Sequence, residues 1–156
     1  NITELNTDMV DRYLQVVFDL QTIKRHEQAL KLFDLLPIEA MDEKLKREIY
    51  YWKAESYYEI ERYDQAALLY MKSAKAGDDT MTDLWAQSAR YKASDALLKA
   101  RLYDDAQYAY SELLRITSSD SRKRLIRQKL QHIRLLRSSD DAKAGSAVNK
   151  KGSGKH

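Results

Sequence analysis

Glu61-Arg-Tyr-Asp-Gln-Ala-Ala-Leu-Leu-Tyr70 decides the fold, because its pattern returns on both sides of it. Forward, in Arg101-Leu-Tyr-Asp-Asp-Ala-Gln-Tyr-Ala-Tyr110, Tyr63 maps to Tyr103, Asp64 to Asp104, Ala66 to Ala106 and Tyr70 to Tyr110. Backward, in Lys24-Arg-His-Glu-Gln-Ala-Leu-Lys-Leu-Phe33, the same places fall to His26, Glu27, Ala29 and Phe33. The two intervals, 37 and 40 residues, are those of a chain that repeats one supersecondary unit.

Composition agrees with a stack one helix pair thick. A mean hydropathy of −0.67 with 33% charged residues is polar for a compact globule, and a stack buries a face only against its neighbours. Forty-four per cent hydrophobic residues, 11 of them Tyr, is too apolar for a disordered chain. Cysteine is absent, which excludes disulfides, thiolate metal sites and Cys nucleophiles. No window approaches the roughly 18 apolar residues that span a bilayer. The first residue, Asn1 rather than Met, leads us to expect a piece of something longer or an already processed chain. The net charge of +3 is divided: residues 1–120 carry −6 and residues 121–156 carry +9. Such asymmetry points to partners or to contacts between copies.

Apolar periodicity predicts a helix from Thr7 through Met9, Val10, Tyr13, Leu14, Val17, Phe18 and Leu20, and a second ending before Pro37. A third is expected from about Ala40 to Ile60, with Leu45, Ile49, Trp52 and Tyr57 spaced for burial. Tyr63 to Ala76 is its partner, closed by Gly77, and Asp78, Asp79 and Thr80 offer caps for a helix from about Met81 to Lys99. Tyr103 to Ile116 completes the third pair. A cap helix over 120–137 carries Leu125, Ile126, Leu130, Ile133 and Leu136, with seven cations around them: Arg122, Lys123, Arg124, Arg127, Lys129, Arg134 and Arg137. The Ser, Gly, Ala, Lys and Asp composition of 138–156 predicts a disordered tail.

Helix pairs in which Ala is followed four positions later by an aromatic resemble the tetratricopeptide repeat. Ala29/Phe33, Ala66/Tyr70 and Ala106/Tyr110 fit its second-helix pattern. Tyr50, Ala54 and Tyr57 fit the first-helix pattern in the middle unit; the flanking units offer Tyr13, Val17, Leu20 and Arg90, Ser94, Leu97. The resemblance implies an all-α fold, an α-solenoid of three repeats at about 7–37, 40–77 and 80–117 plus the cap helix, all within residues 1–137. Periods above the family's 34 imply longer first helices. The wording of Ser88 to Leu114 also looks like bacterial repeat proteins of the cell envelope, which implies a periplasmic setting, with the cytoplasm as the alternative.

In this family the first helices line a concave face that holds peptides. By register this implies a groove of Leu14, Phe18, Gln21, Glu48, Tyr51, Trp52, Glu55, Tyr58, Glu59, Tyr91, Lys92, Asp95, Leu98 and Lys99. Aromatic rings give large contact area, and the carboxylates among them favour a basic or amphipathic segment of another protein or peptide. Family members that grip a C-terminal carboxylate use Lys and Asn where this chain has Leu14, Phe18, Tyr51, Glu55, Tyr91 and Asp95, so that activity is not expected. The basic helix suggests two alternatives: binding to nucleic acid or anionic membrane, or self-association of the +9 end of one copy with the −6 body of another. Neither catalysis nor a metal or other cofactor is expected, since His26, His132 and His156 share no face with carboxylates at ligand spacing.

Overall fold

The computed structural model describes residues 7–77 and 83–153, and these are helical, with no strand. Seven α-helices follow in chain order: α1 (Thr7–Thr22), α2 (His26–Asp34), α3 (Glu43–Glu59), α4 (Tyr63–Lys75), α5 (Leu84–Lys99), α6 (Tyr103–Ile116) and α7 (Asp120–Ser153). A 3-10 turn, Ile38–Ala40, precedes α3. Each helix packs on the next in sequence, so the chain builds one layer after another rather than folding back on itself.

The recurrent residues sit where the helices seat on one another. Ala29, Ala66 and Ala106 are fully buried, as are Phe33, Tyr70 and Tyr110 one turn on. The small side chain lets two helix backbones approach, and the ring fills the space beyond it. At the facing register of the first helices, Val17, Ala54 and Ser94 are likewise fully buried. In α5 this economy is extended, since Ala89, Ala93, Ser94 and Ala96 make nearly all of its buried side.

Three turns close the pairs α1–α2, α3–α4 and α5–α6, and they are copies of one another. In each, three residues connect the helices and the middle one is left-handed: Lys24, Glu61 and Arg101 all have φ of 63°. The following N–H donates to a carbonyl five residues back, Arg25 to Leu20 (2.8 Å), Arg62 to Tyr57 (2.9 Å) and Leu102 to Leu97 (3.0 Å). The left-handed residue itself donates to Gln21, Tyr58 or Leu98. These two bonds satisfy carbonyls that a helix end otherwise leaves orphaned. A side chain in this conformation costs about 1 kcal/mol. Replacing Lys24 or Glu61 by Gly is therefore expected to raise stability by about 0.5–1 kcal/mol each, read as a higher urea midpoint at unchanged slope.

Several expectations need correction. The first helix is the longer of each pair, with 16, 17 and 16 residues against 9, 13 and 14, while the difference between the two periods comes from the second helices, where Pro37 stops α2 short. α3 begins at Glu43 instead of near Ala40, because Asp42 is its cap and accepts from Leu45 N–H at 2.8 Å. Gly77 takes the expected left-handed conformation, with φ of 94°. The proposed caps Asp78, Asp79 and Thr80, and Met81, lie outside the described residues. The observed cap of α5 is Asp83, which accepts from Trp85 N–H at 2.9 Å.

Asp83 also joins a knot of α3, α4 and α5. Its carboxylate pairs with Arg47 at 2.6 Å, and Arg47 lies over the Trp85 ring. Ser73, buried on α4, donates to the Arg47 carbonyl and accepts from the Trp85 indole N–H at 3.0 Å. Burial works against the Asp83 carboxylate, but the Arg47 hydrogen bond and charge and the Trp85 N–H hold its pKa below the ordinary value.

The last helix departs most from expectation. α7 does not end at Arg137 but continues to Ser153, so the boundary of a disordered tail at 138 is not where the helix ends. One tether lies just past the expected end: Asp140 takes both oxygens to the Arg101 guanidinium, at 3.0 and 3.2 Å. Residues 154–156 of the expected tail lie outside the described residues.

Candidate functional site

α1, α3, α5 and α7 touch in series through their side chains. From α1, Gln21 Nε2 donates to Ser56 Oγ (2.7 Å) and to the Trp52 carbonyl (2.8 Å) on α3. From α3, Tyr58 OH donates to Asp95 Oδ2 at 2.9 Å, and Glu55 lies 3.5 Å from Lys92 Nζ of α5. From α7, Lys129 Nζ reaches Asp95 Oδ1 at 3.2 Å and Arg122 reaches Gln87 Oε1 at 3.5 Å. Rings run along the same side, Phe18 to Trp52 (5.7 Å), Trp52 to Tyr51 (5.5 Å) and Tyr51 to Trp85 (5.2 Å) between centroids.

Of the aromatic residues expected in the groove by register, Trp52 is the most open, 40% exposed, although its spacing had suggested burial. Phe18, Tyr51, Glu55, Tyr58, Tyr91 and Asp95 are half-buried. Leu14 is corrected: it is buried in the core beside Val10 and Val17 and is not available to a partner. Leu98 packs against the Ala106–Tyr110–Ile133 cluster, and only part of it meets solvent.

The carboxylates are not idle charges. Glu55 accepts from the Tyr70 hydroxyl, which rises from the fully buried aromatic site of the second helix. Asp95, at the matching register, lies close enough to the Tyr110 hydroxyl for its charge to be felt, but the buried hydroxyl makes no hydrogen bond of good geometry. Both Asp95 oxygens are already engaged, by Tyr58 and Lys129. In the first unit the same two places hold Phe33 and Phe18, so hydroxyl and carboxylate are absent together. Burial first, then the Glu55 hydrogen bond and charge, push the Tyr70 pKa well above the ordinary value. Burial and the Asp95 charge do the same to Tyr110.

Where α5 meets α7 the face deepens into a cleft of about 320 Å³. Tyr51, Tyr91, Leu113, Leu125 and Ile126 give it apolar walls, and Lys92 and Arg122 stand at it as cations. Three of its lining residues, Arg122, Leu125 and Ile126, come from the helix read in sequence as a cap and a basic patch. Register alone could not assign them to the groove, because α7 lacks the Ala/aromatic signature that sets the register elsewhere.

The seven cations expected as a basic patch do not form one free surface. Arg122 and Lys129 are turned toward α5, and Arg137 pairs with Asp104 at the start of α6. Lys123, Arg124, Arg127 and Arg134 have no ion pair among the described residues; Lys123 is half-buried and the other three are exposed. His26 Nδ1, at the start of α2, lies at hydrogen-bond distance, 3.1 Å, from Ser56 Oγ on α3. Among the described residues no cluster of three His, Asp or Glu could hold a metal ion, and no helix is long and apolar enough to cross a membrane.

No family model, curated protein or solved structure matches the chain.

Proposed function

We propose that the chain is a solenoid of three tetratricopeptide-like helix pairs, α1–α2, α3–α4 and α5–α6, closed by α7, and that it works as a protein-interaction module without catalytic activity of its own. Support for the repeat comes from the three identical left-handed turns and from the buried Ala/aromatic pairs at matching register. The observation that carries the function is the cleft between α5 and α7, continuous through Tyr51 with the exposed ring of Trp52. A concave apolar site with a few polar groups at its edge takes an anchoring side chain of a peptide.

The chemistry of the face refines the partner. Glu55 and Asp95 are neutralised from within by Lys92 and Lys129, so a basic peptide gains less from them than the residue types suggest. The partner favoured here is an amphipathic segment of another protein that inserts an aliphatic or aromatic side chain between Tyr91 and Leu125, with its polar side toward Lys92 and Arg122.

Immobilised full-length chain, challenged with a displayed library of short peptides, tests this. Selected peptides are expected to lose at least tenfold in affinity when Ser88→Arg fills the cleft mouth or Trp52→Ala removes the exposed ring. Both positions are exposed, so the circular dichroism spectrum should not change. Peptides that bind both variants as well as the original chain would overturn the groove as the binding face.

A further inference from the structure

The cleft between α5 and α7 is lined by charge of one sign. Ten residues line it; two of them are cations, Lys92 from α5 and Arg122 from α7, and none is a carboxylate. Leu113 and Ile126 are buried and make its floor. Arg122 is exposed and the Lys92 side chain is 43% exposed, so the two charges stand at the mouth, one from each wall.

The carboxylates close by are already paired or turned away. Glu55 lies 3.5 Å from Lys92 Nζ and accepts from the Tyr70 hydroxyl; Asp95 holds Lys129 and Tyr58; Asp83 holds Arg47. Asp120 opens α7, but successive helix residues turn by about 100°, which puts it on the far side of that helix from Arg122. Glu48 lines a separate hollow together with Lys44. Arg122 has no ion pair among the described residues, and its hydrogen bond to the neutral amide oxygen of Gln87 is long, 3.5 Å. A guanidinium without a counter-ion, at the rim of an apolar cleft, presents its N–H groups as a fixed fork that matches a carboxylate.

We infer that the cleft selects an acidic segment: an aliphatic or aromatic side chain fills it while an Asp or Glu of the same segment pairs with Arg122. This rests on the cleft being the binding site, as proposed above, and adds the sign of the partner's charge, which is the reverse of what Glu55 and Asp95 suggested as residue types. The acid and the anchor must lie on one side of the segment, so they stand two residues apart in an extended peptide or three to four apart in a helical one. Lys92 contributes less than Arg122, because Glu55 already holds it.

Peptides selected from a displayed library on the full chain, then resynthesised with acetylated and amidated ends, test the inference. They are expected to carry an Asp or Glu at that spacing from an apolar residue, and to bind more weakly as salt rises. Replacing the acid by its amide should cost about tenfold in affinity, and so should Arg122→Glu in the protein. Replacing the same acid by Arg should restore most of the binding to Arg122→Glu, which loss of structure alone would not allow. Ser88→Trp, a block at an exposed lining position that adds no charge, separates the two levels of the reading. Peptides that Ser88→Trp displaces but that carry no acid, that bind Arg122→Glu undiminished, or that need a free C-terminal carboxylate, overturn the acidic side chain and leave the cleft standing as the site. Peptides indifferent to Ser88→Trp remove the cleft itself, and this inference with it.

Discussion

Replacing Tyr70 by Phe and Tyr110 by Phe, the same change at the same register, is expected to move stability in opposite directions. The Tyr70 hydroxyl donates to the Glu55 carboxylate, and a hydrogen bond to a charged group contributes about 1.5–3 kcal/mol. Glu55 keeps Lys92 and some contact with solvent, so the loss on Tyr70→Phe should lie at the lower end, about 1.5 kcal/mol. The Tyr110 hydroxyl is buried and reaches only the Asp95 carboxylate, in poor geometry and with both of its oxygens already engaged, so its desolvation is at best partly offset. Removing it should gain about 1 kcal/mol, since the ring and its edge-on contact with Tyr91 at 5.9 Å stay in place. Urea unfolding at neutral pH checks both. Equal destabilisation by the two variants would mean that the Asp95 site accommodates the hydroxyl as well as the Glu55 site does.

Alkali should unfold this protein through its buried tyrosines: Tyr50 and Tyr58 are raised as well, and Tyr70 and Tyr110 are the two that are fully buried. Their folded-state pKa values are raised above the ordinary 10.0, by burial first and by the neighbouring carboxylates second. A group whose folded pKa is raised contributes stability that is complete below its unfolded pKa and is lost as pH climbs toward the folded one. The window therefore opens near pH 10, and stability falls above it. Each tyrosine contributes a slope of about 1.4 kcal/mol per pH unit, so the pair gives about 3. That is enough to unfold a domain of ordinary stability, roughly 5–15 kcal/mol, within a few pH units. Tyrosinate absorbance should rise together with loss of helix instead of before it. The Tyr70→Phe, Tyr110→Phe double variant should show a shallower decline; an identical slope would place the alkaline transition elsewhere, for example at lysine.

What could be read from the chain was what local pattern specifies. Ala29/Phe33, Ala66/Tyr70 and Ala106/Tyr110 are visible as spacing because every unit must seat on its neighbour in the same way. The turns were harder, since the left-handed positions hold Lys24, Glu61 and Arg101 and none carries the glycine that usually marks such a place. Their signal was positional only, two residues before His26, Tyr63 and Tyr103. The extension of α7 was hidden because one of its holds, Arg101 to Asp140, comes from 39 residues away, and local composition cannot report it. At the candidate site, register placed Tyr51, Trp52 and Tyr91 on one side but also placed Leu14 there. A leucine at the margin of the buried arc reads the same whether it faces the core or the solvent.

The three matching turns carry a consequence for how such a chain can be lengthened or shortened. Each pair is closed internally by a fixed three-residue corner, while the stretches between pairs, 35–42 and 76–83, are eight residues each, differ in sequence at their start and both end in an Asp cap. The hairpin is thus a cassette with a rigid interior and interchangeable couplings. Cutting at Asp42 and at Asp83, both helix caps, would lift out α3 and α4 as one piece. It would bring the end of α2 to the start of α5, which is the same kind of junction that already exists between α2 and α3.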